Sequence, residues 1–204
     1  MFQRCAVINI VDYEGGNLFS VVKAFEYLGE QPQIITSPEA YQTGKIVIPG
    51  VGDFGDAMGE LNARHFTQFI HEKAAEGVEI LGICVGAQIL FQGSEESPGI
   101  AGLSFFKESV RYFAPGGKIP HMGWNTLKIK RQNPLVVDVD DGGYVYFAHS
   151  YFIPAAMADY ELAHCEHNNL FTAIINRDNI YGVQFHPEKS QKVGMQIMKN
   201  FIEL

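Results

Sequence analysis

The first ninety residues alternate short apolar runs with stretches of helical spacing. Residues 6–11 (AVINIV) read as a buried strand, and the polar, glycine-bearing residues 12–17 (DYEGGN) as a turn. Leu18, Val21, Val22, Phe25 and Leu28 then fall on one helical face, with Gly29 as a C-terminal stop. Residues 33–36 predict a second strand, ended by Ser37-Pro38, and residues 45–48 a third, running into Pro49-Gly50-Val51-Gly52. Residues 53–74 predict one helix, weakened near its start by Gly55 and Gly59. Residues 79–84 predict a fourth strand, followed by a helical stretch from Ala87 to Phe91. Such alternation builds a parallel sheet with helices on both faces.

The second half changes character. Residues 103–113, 126–130, 144–151, 160–167, 171–175 and 180–185 are strand-like, with residues 176–179 as a hairpin turn. Ser190 is placed to cap a closing helix that carries Val193, Ile197, Met198, Phe201 and Ile202 inward. The expected fold is therefore one α/β domain over residues 1–204. It has a central, mostly parallel sheet flanked by helices, an antiparallel β extension in the second half, and a C-terminal helix. A length of 204 residues, 47% of them apolar, suits one substantial core.

Charge and cysteine usage narrow the classes. The net charge of −8 lacks the basic patch of a nucleic-acid binder. Cys5, Cys84 and Cys165 are few and widely spaced, with no C-x-x-C pair, so neither a disulfide framework nor a zinc ribbon is indicated and a reducing, cytoplasmic setting fits. No apolar run is long enough for a signal peptide or a membrane span. Cys5 and Cys165 fall on predicted strands as core thiols. His164 and His167 fall on opposite faces of a strand, which argues against a metal site.

Three spots at predicted strand ends carry chemistry, and sheets of this type bind ligands at that edge. Gly82-Ile83-Cys84-Val85-Gly86 has the strand–turn–helix context of a nucleophile elbow, in which a Cβ at either glycine would crowd the turn. On the pentapeptide alone, a buried structural cysteine is an equal alternative. His186 and Glu188, two apart on a segment expected to be extended, can serve as base and orienting carboxylate, with Pro187 keeping the link from turning helical. The N–H of Val85 and one from Gly50, Val51 or Gly52 can form an oxyanion hole.

G-I-C-V-G-A-Q at 82–88 and Y-G-V-Q-F-H-P-E-K-S at 181–190 resemble class I (triad) glutamine amidotransferases. V-D-Y-E-G-G-N-L-F-S-V at 11–21, I-P-G-V-G at 48–52, I-P-H-M-G-W-N at 119–125 and Y-F-A-H-S-Y at 146–151 are similar to the glutaminase subunits of imidazole glycerol phosphate synthases. The resemblance implies a cofactor-free, metal-free enzyme. Cys84 attacks the glutamine side-chain amide and His186, oriented by Glu188, moves protons. Residues 49–52 form an oxyanion strand, with Val51, Gly52 and Val85 at the hole. Gly50, Gln88, Glu96, His149, Ser150 and Tyr151 contact the substrate, Glu96 through the ammonium. It also implies a heterodimer with a (β/α)8 barrel cyclase that consumes the ammonia, with His121, Met122, Trp124, Asn125 and Lys189 at or near the interface. For Trp124, the sole tryptophan, a core position is an equal alternative on composition.

The elbow departs from the family pattern, which has leucine and methionine where this chain has Val85 and Ala87. That leaves open a paralogue supplying ammonia for surface-sugar biosynthesis. A cysteine hydrolase or peptidase on a similar sheet would share the elbow and base but has no need of H-M-G-W-N or P-G-V-G. Intact Cys84, His186 and Glu188 speak against an inactive binding module.

Overall fold

The computed structural model describes residues 7–14, 18–155 and 159–204. Cys5, residue 6 of the first predicted strand and residues 15–17 of the first turn lie outside them. In chain order the strands and helices are β1 (Val7–Val11), α1 (Leu18–Tyr27), β2 (Gln33–Ile35), β3 (Gly44–Ile48), α2 (Phe54–Ala63), α3 (Phe66–Ala75), β4 (Ile80–Ile83), α4 (Val85–Gln88) and β5 (Phe91–Ser94). They continue with β6 (Phe106–Tyr112), β7 (His121–Thr126), β8 (Lys128–Ile129), β9 (Tyr144–His149), β10 (Tyr151–Pro154), β11 (Glu161–His167), β12 (Asn169–Arg177), β13 (Ile180–Val183) and α5 (Gln191–Glu203).

Among the described residues, one sheet runs in the order β2-β1-β3-β4-β13-β12-β10-β6-β5, with β11 and β8 branching from β12. The strands from β2 through β13 are parallel. Beyond β13 the pairings to β12, β10 and β6 are antiparallel. A separate antiparallel pair joins β7 to β9. The predicted α/β architecture with an antiparallel extension is thus the observed one.

The placement of β13 is decisive for function. It sits beside β4 although about a hundred residues separate them, pairing Gly82 with Gly182 and Ile83 with Val183. On its other side β4 pairs Gly82 with Ile48 of β3. The ends of β3, β4 and β13 therefore deliver residues 49–52, Cys84 and His186 to one edge. The strands are nearly continuous apolar runs because they are buried on both faces, as parallel strands usually are.

Several predicted boundaries change. The helix expected over 53–74 is two helices, broken at His65, whose φ of 62° is left-handed. Asp53 starts α2 by accepting from the N–H groups of Gly55 and Asp56 at 2.6 and 3.1 Å. The helical stretch after the elbow is one turn, because Phe91 already opens a strand paired with Phe106. Residues 144–151 form two strands that part at Ser150. The sequence pattern missed β7, whose alternate residues are neither uniformly apolar nor uniformly polar. Ser190 precedes α5 but makes no side-chain cap; its hydroxyl donates to the His186 carbonyl at 2.6 Å and accepts from the Tyr146 N–H at 2.9 Å. In α5, Ile197, Met198 and Phe201 are buried as expected, joined by Gly194 and Asn200.

Candidate active site

The elbow is a packing necessity before it is a chemical device. A Cβ on Gly86 would lie 1.9 Å from the Ile48 carbonyl oxygen, and one on Gly82 would lie 2.3 Å from the Gly86 carbonyl oxygen. Cys84 between them takes φ 55° and ψ −111°, strained for a residue with a side chain. Its N–H donates to the Val183 carbonyl at 2.8 Å, so the elbow is pinned to β13. Val85 and Ala87 are both buried, and Ala87 packs against Gly182 of β13, where a Cβ would come within 3.1 Å of the alanine methyl. Ala87 thus meets a close strand.

His186 is buried and lines the same cavity as Cys84. Its Nδ1 lies 3.0 Å from Glu188 Oε1. Burial works against a charged ring, but the bonds to Cys84 and Glu188 and the negative charge on both outweigh it, raising the His186 pKa to about 10. The path from His186 to Glu188 is not extended as the sequence suggests. Pro187–Lys189 form a 3-10 turn with Pro187 at its first position, where a missing N–H costs nothing. The turn folds Glu188 back to the ring, and its carboxylate is buried, with Oε2 lacking a protein partner among the described residues.

Cys84 and His186 open onto a cavity of about 340 Å³ lined also by Val51, Gly52, Val85, Gln88, Glu96, His149, Ser150, Tyr151 and Lys189, together with Pro120, Met122 and Ala148. Gln88 donates to the Tyr151 carbonyl at 2.8 Å and to Gln184 Oε1 at 3.1 Å. Glu96 accepts from the Phe54 N–H, at the start of α2, at 2.9 Å. Its pKa is raised, chiefly by burial. A larger groove of about 860 Å³ between α1 and α5 contains neither Cys84 nor His186, so its size does not make it the reaction site.

Gly50 contributes closeness rather than lining. A Cβ there would meet the Gly86 nitrogen at 2.6 Å, the Tyr13 hydroxyl at 2.7 Å and the Val85 Cβ at 2.9 Å. Gly52 has φ +98°, a left-handed conformation that suits glycine. The strand β7 divides its residues: Met122 and Trp124 are 61% and 46% exposed, whereas His121 is buried and Asn125 half-buried. Trp124 is therefore no core aromatic. Lys189 is exposed, with its Nζ 5.9 Å from the Tyr146 ring centroid. Among the other histidines, His164 pairs with buried Glu161 at 2.5 Å. The described residues hold no cluster of three or more histidine, cysteine or carboxylate side chains able to bind a metal, and no helix long and apolar enough to cross a membrane.

Sequence reasoning overlooked two contributors. Tyr13 is buried and donates to the Pro49 carbonyl at 2.7 Å, holding the start of the 49–52 segment. Burial, aided by negative charge at Cys84, raises its pKa. Gln184 orients Gln88. Tyr13 stood within a quoted motif, but nothing in the spacing links it to Pro49; Gln184 adjoins the triad segment with no signal of its own.

A cysteine and a histidine–carboxylate pair thus meet at a parallel-sheet edge. The family model for glutamine amidotransferase class-I matches residues 9–204, and the chain belongs to that family. It is 42% identical over 198 residues to the imidazole glycerol phosphate synthase subunit HisH of Methanocaldococcus jannaschii, covering 97% of this chain and 100% of that protein. The HisH subunit of Bacillus subtilis is 40% identical over 205 residues, covering 97% and 96% of the two chains. A crystal structure of a glutamine amidotransferase superposes with a TM-score of 0.76 at 15% identity, covering 97% of each chain, and PurLQS from Thermotoga maritima with 0.75 at 20%, covering 97% and 98%; these two show the shared fold. The chain is a HisH-type glutamine amidotransferase, an enzyme acting on glutamine.

Proposed function

We propose that this chain is the glutaminase subunit of an imidazole glycerol phosphate synthase, with Cys84, His186 and Glu188 as its triad. The observation that carries the reading is the strained Cys84 at the end of β4, sharing a cavity with a His186 that Glu188 holds at 3.0 Å. Cys84 sulfur attacks the side-chain amide carbon of glutamine, and His186 delivers a proton to the departing nitrogen. The carbonyl oxygen becomes an oxyanion near the N–H groups of Val85 and of Val51 or Gly52. Ammonia leaves; water, deprotonated by His186, then attacks the γ-glutamyl thioester, releasing glutamate and restoring the thiol. Gly50, Gln88, Glu96 and residues 149–151 hold the substrate.

Free ammonia in neutral water is mostly ammonium, which is no nucleophile. That chemistry favours direct transfer to a partner, here a (β/α)8 barrel cyclase docked over the face bearing Met122, Trp124 and Lys189, with His121 and Asn125 beneath it. The HisH relatives favour the histidine pathway over surface-sugar synthesis. The test measures glutamate release from glutamine by the chain alone and with a candidate cyclase plus its ribonucleotide ligand. Release that appears or rises sharply with the partner and vanishes in Cys84→Ala is expected. Peptide cleavage without glutamate release overturns the reading.

A further inference from the structure

Behind residues 149–151 lies a chain of polar groups whose proton positions are dictated from both ends. At one end, Asn125 Oδ1 accepts from the Thr126 N–H at 2.8 Å and its Nδ2 donates to the Glu166 carbonyl at 2.9 Å. Two backbone groups therefore fix the amide orientation. Asn125 Nδ2 also faces His121 Nε2 at 3.2 Å. At the other end, His149 Nδ1 lies 2.7 Å from the Tyr151 carbonyl, which can only accept. His149 Nδ1 thus carries a proton. Between the ends, His121 Nδ1 meets His149 Nε2 at 3.0 Å.

Only one assignment satisfies every contact. Asn125 donates to His121 Nε2, His121 Nδ1–H donates to His149 Nε2, and His149 Nδ1–H donates to the Tyr151 carbonyl. Both rings are neutral in this arrangement. An added proton on either would set two donors against each other, at His121–His149 or at Asn125–His121. Their burial acts in the same direction, holding His121 at about 4 and His149 at about 3, with the neighbouring His167 adding to the effect. His121 is also fixed in plane by stacking between Phe147 and His167, with ring centroids 4.6 and 4.0 Å away.

We infer that His121 and Asn125 are positioning residues for glutamine binding: they lock His149 in its Nδ1–H form on the Tyr151 carbonyl and so hold the 149–151 backbone in the cavity. That carbonyl also accepts from Gln88, so the lock reaches both sides of the pocket. Without the His121 donor, His149 Nε2 is a buried acceptor with no partner. The ring then turns or changes tautomer and releases Tyr151. The inference rests on the glutaminase reading for its kinetic part only.

The test uses the full chain with its cyclase partner. His121→Phe keeps the flat ring and removes both nitrogens. His121→Asn keeps an amide N–H near the former Nδ1. His121→Phe is expected to raise KM for glutamine about tenfold, the equivalent of one buried hydrogen bond, and to change kcat much less. His121→Asn is expected to restore KM to within about threefold of wild type, and Asn125→Ala, at a half-buried position, to give an intermediate rise. Long-range ¹H–¹⁵N spectra of the labelled chain report the His149 tautomer directly: Nδ1–H in wild type and in His121→Asn, a mixture or the Nε2–H form in His121→Phe. An unchanged KM in His121→Phe, equal losses in both His121 variants, or an Nε2–H His149 in wild type overturns the inference. If His121→Phe does not fold, the wild-type spectrum and the Asn125→Ala KM decide. Absence of glutamate release by wild type with its partner would instead sink the glutaminase assignment, and the spectra still test the chain.

Discussion

Gly86→Ala is the sharpest test of the elbow. The added methyl would start 1.9 Å from the Ile48 carbonyl oxygen and 2.9 Å from its carbonyl carbon, both backbone atoms at the end of a strand buried from Lys45 to Ile48. Real Cβ atoms do not approach within 3.0 Å, so elbow and strand must part by about 1.1 Å. Neither side yields easily. The elbow is pinned to β13 through the Cys84 N–H, and Ile48 is paired with Gly82. Overpacking of a rigid interior costs about 1–3 kcal/mol. The functional loss should be larger, because a displacement near 1 Å at reacting groups costs roughly 100-fold in rate. Urea unfolding followed by circular dichroism gives the first quantity, and glutamate release with the partner present gives the second. A Gly86→Ala enzyme with wild-type midpoint and wild-type kcat would refute the claim that contact with Ile48 dictates glycine there.

Ser190→Ala should destabilise by roughly 1–2 kcal/mol, since it removes the acceptor of the half-buried Tyr146 N–H while the His186 carbonyl keeps its second donor, the Lys189 N–H, and a thermal melt reads the drop. Stability should also fall in acid: with His121 held at about 4, an unfolded chain takes up a proton below about pH 6.5 that the fold refuses, costing up to about 3 kcal/mol as pH approaches 4. A urea midpoint that does not move between pH 7 and pH 4.5 contradicts this. His186 acts oppositely: its stabilisation is complete below about pH 6.5 and is lost as pH rises toward 10, so Glu188→Gln should flatten the alkaline side of the stability profile. Trp124→Ala should weaken cyclase binding at least tenfold by calorimetry while leaving the melt nearly unchanged, because the side chain is half exposed; unchanged affinity removes Trp124 from the interface.

Much of this was written locally. Apolar runs marked β1, β3, β4 and β13, and glycines two residues either side of Cys84 announced a turn too tight for side chains. Local signals set these because a buried parallel strand or a crowded turn restricts residue type at its own position. Other features depended on neighbours far away in the chain. The single-turn α4 and the division at Ser150 follow from where adjacent strands pair, and the split at His65 from its left-handed backbone; no periodicity encodes either. The bend that brings Glu188 back to His186 was misread because a proline that discourages a long helix is well suited to start a 3-10 turn. Tyr13 on Pro49, Ser190 between Tyr146 and His186, and the ordered protons from Asn125 through His121 to His149 came from tertiary contact alone. A hydrogen bond needs a partner at about 3 Å, and only the completed fold supplies one across the sheet.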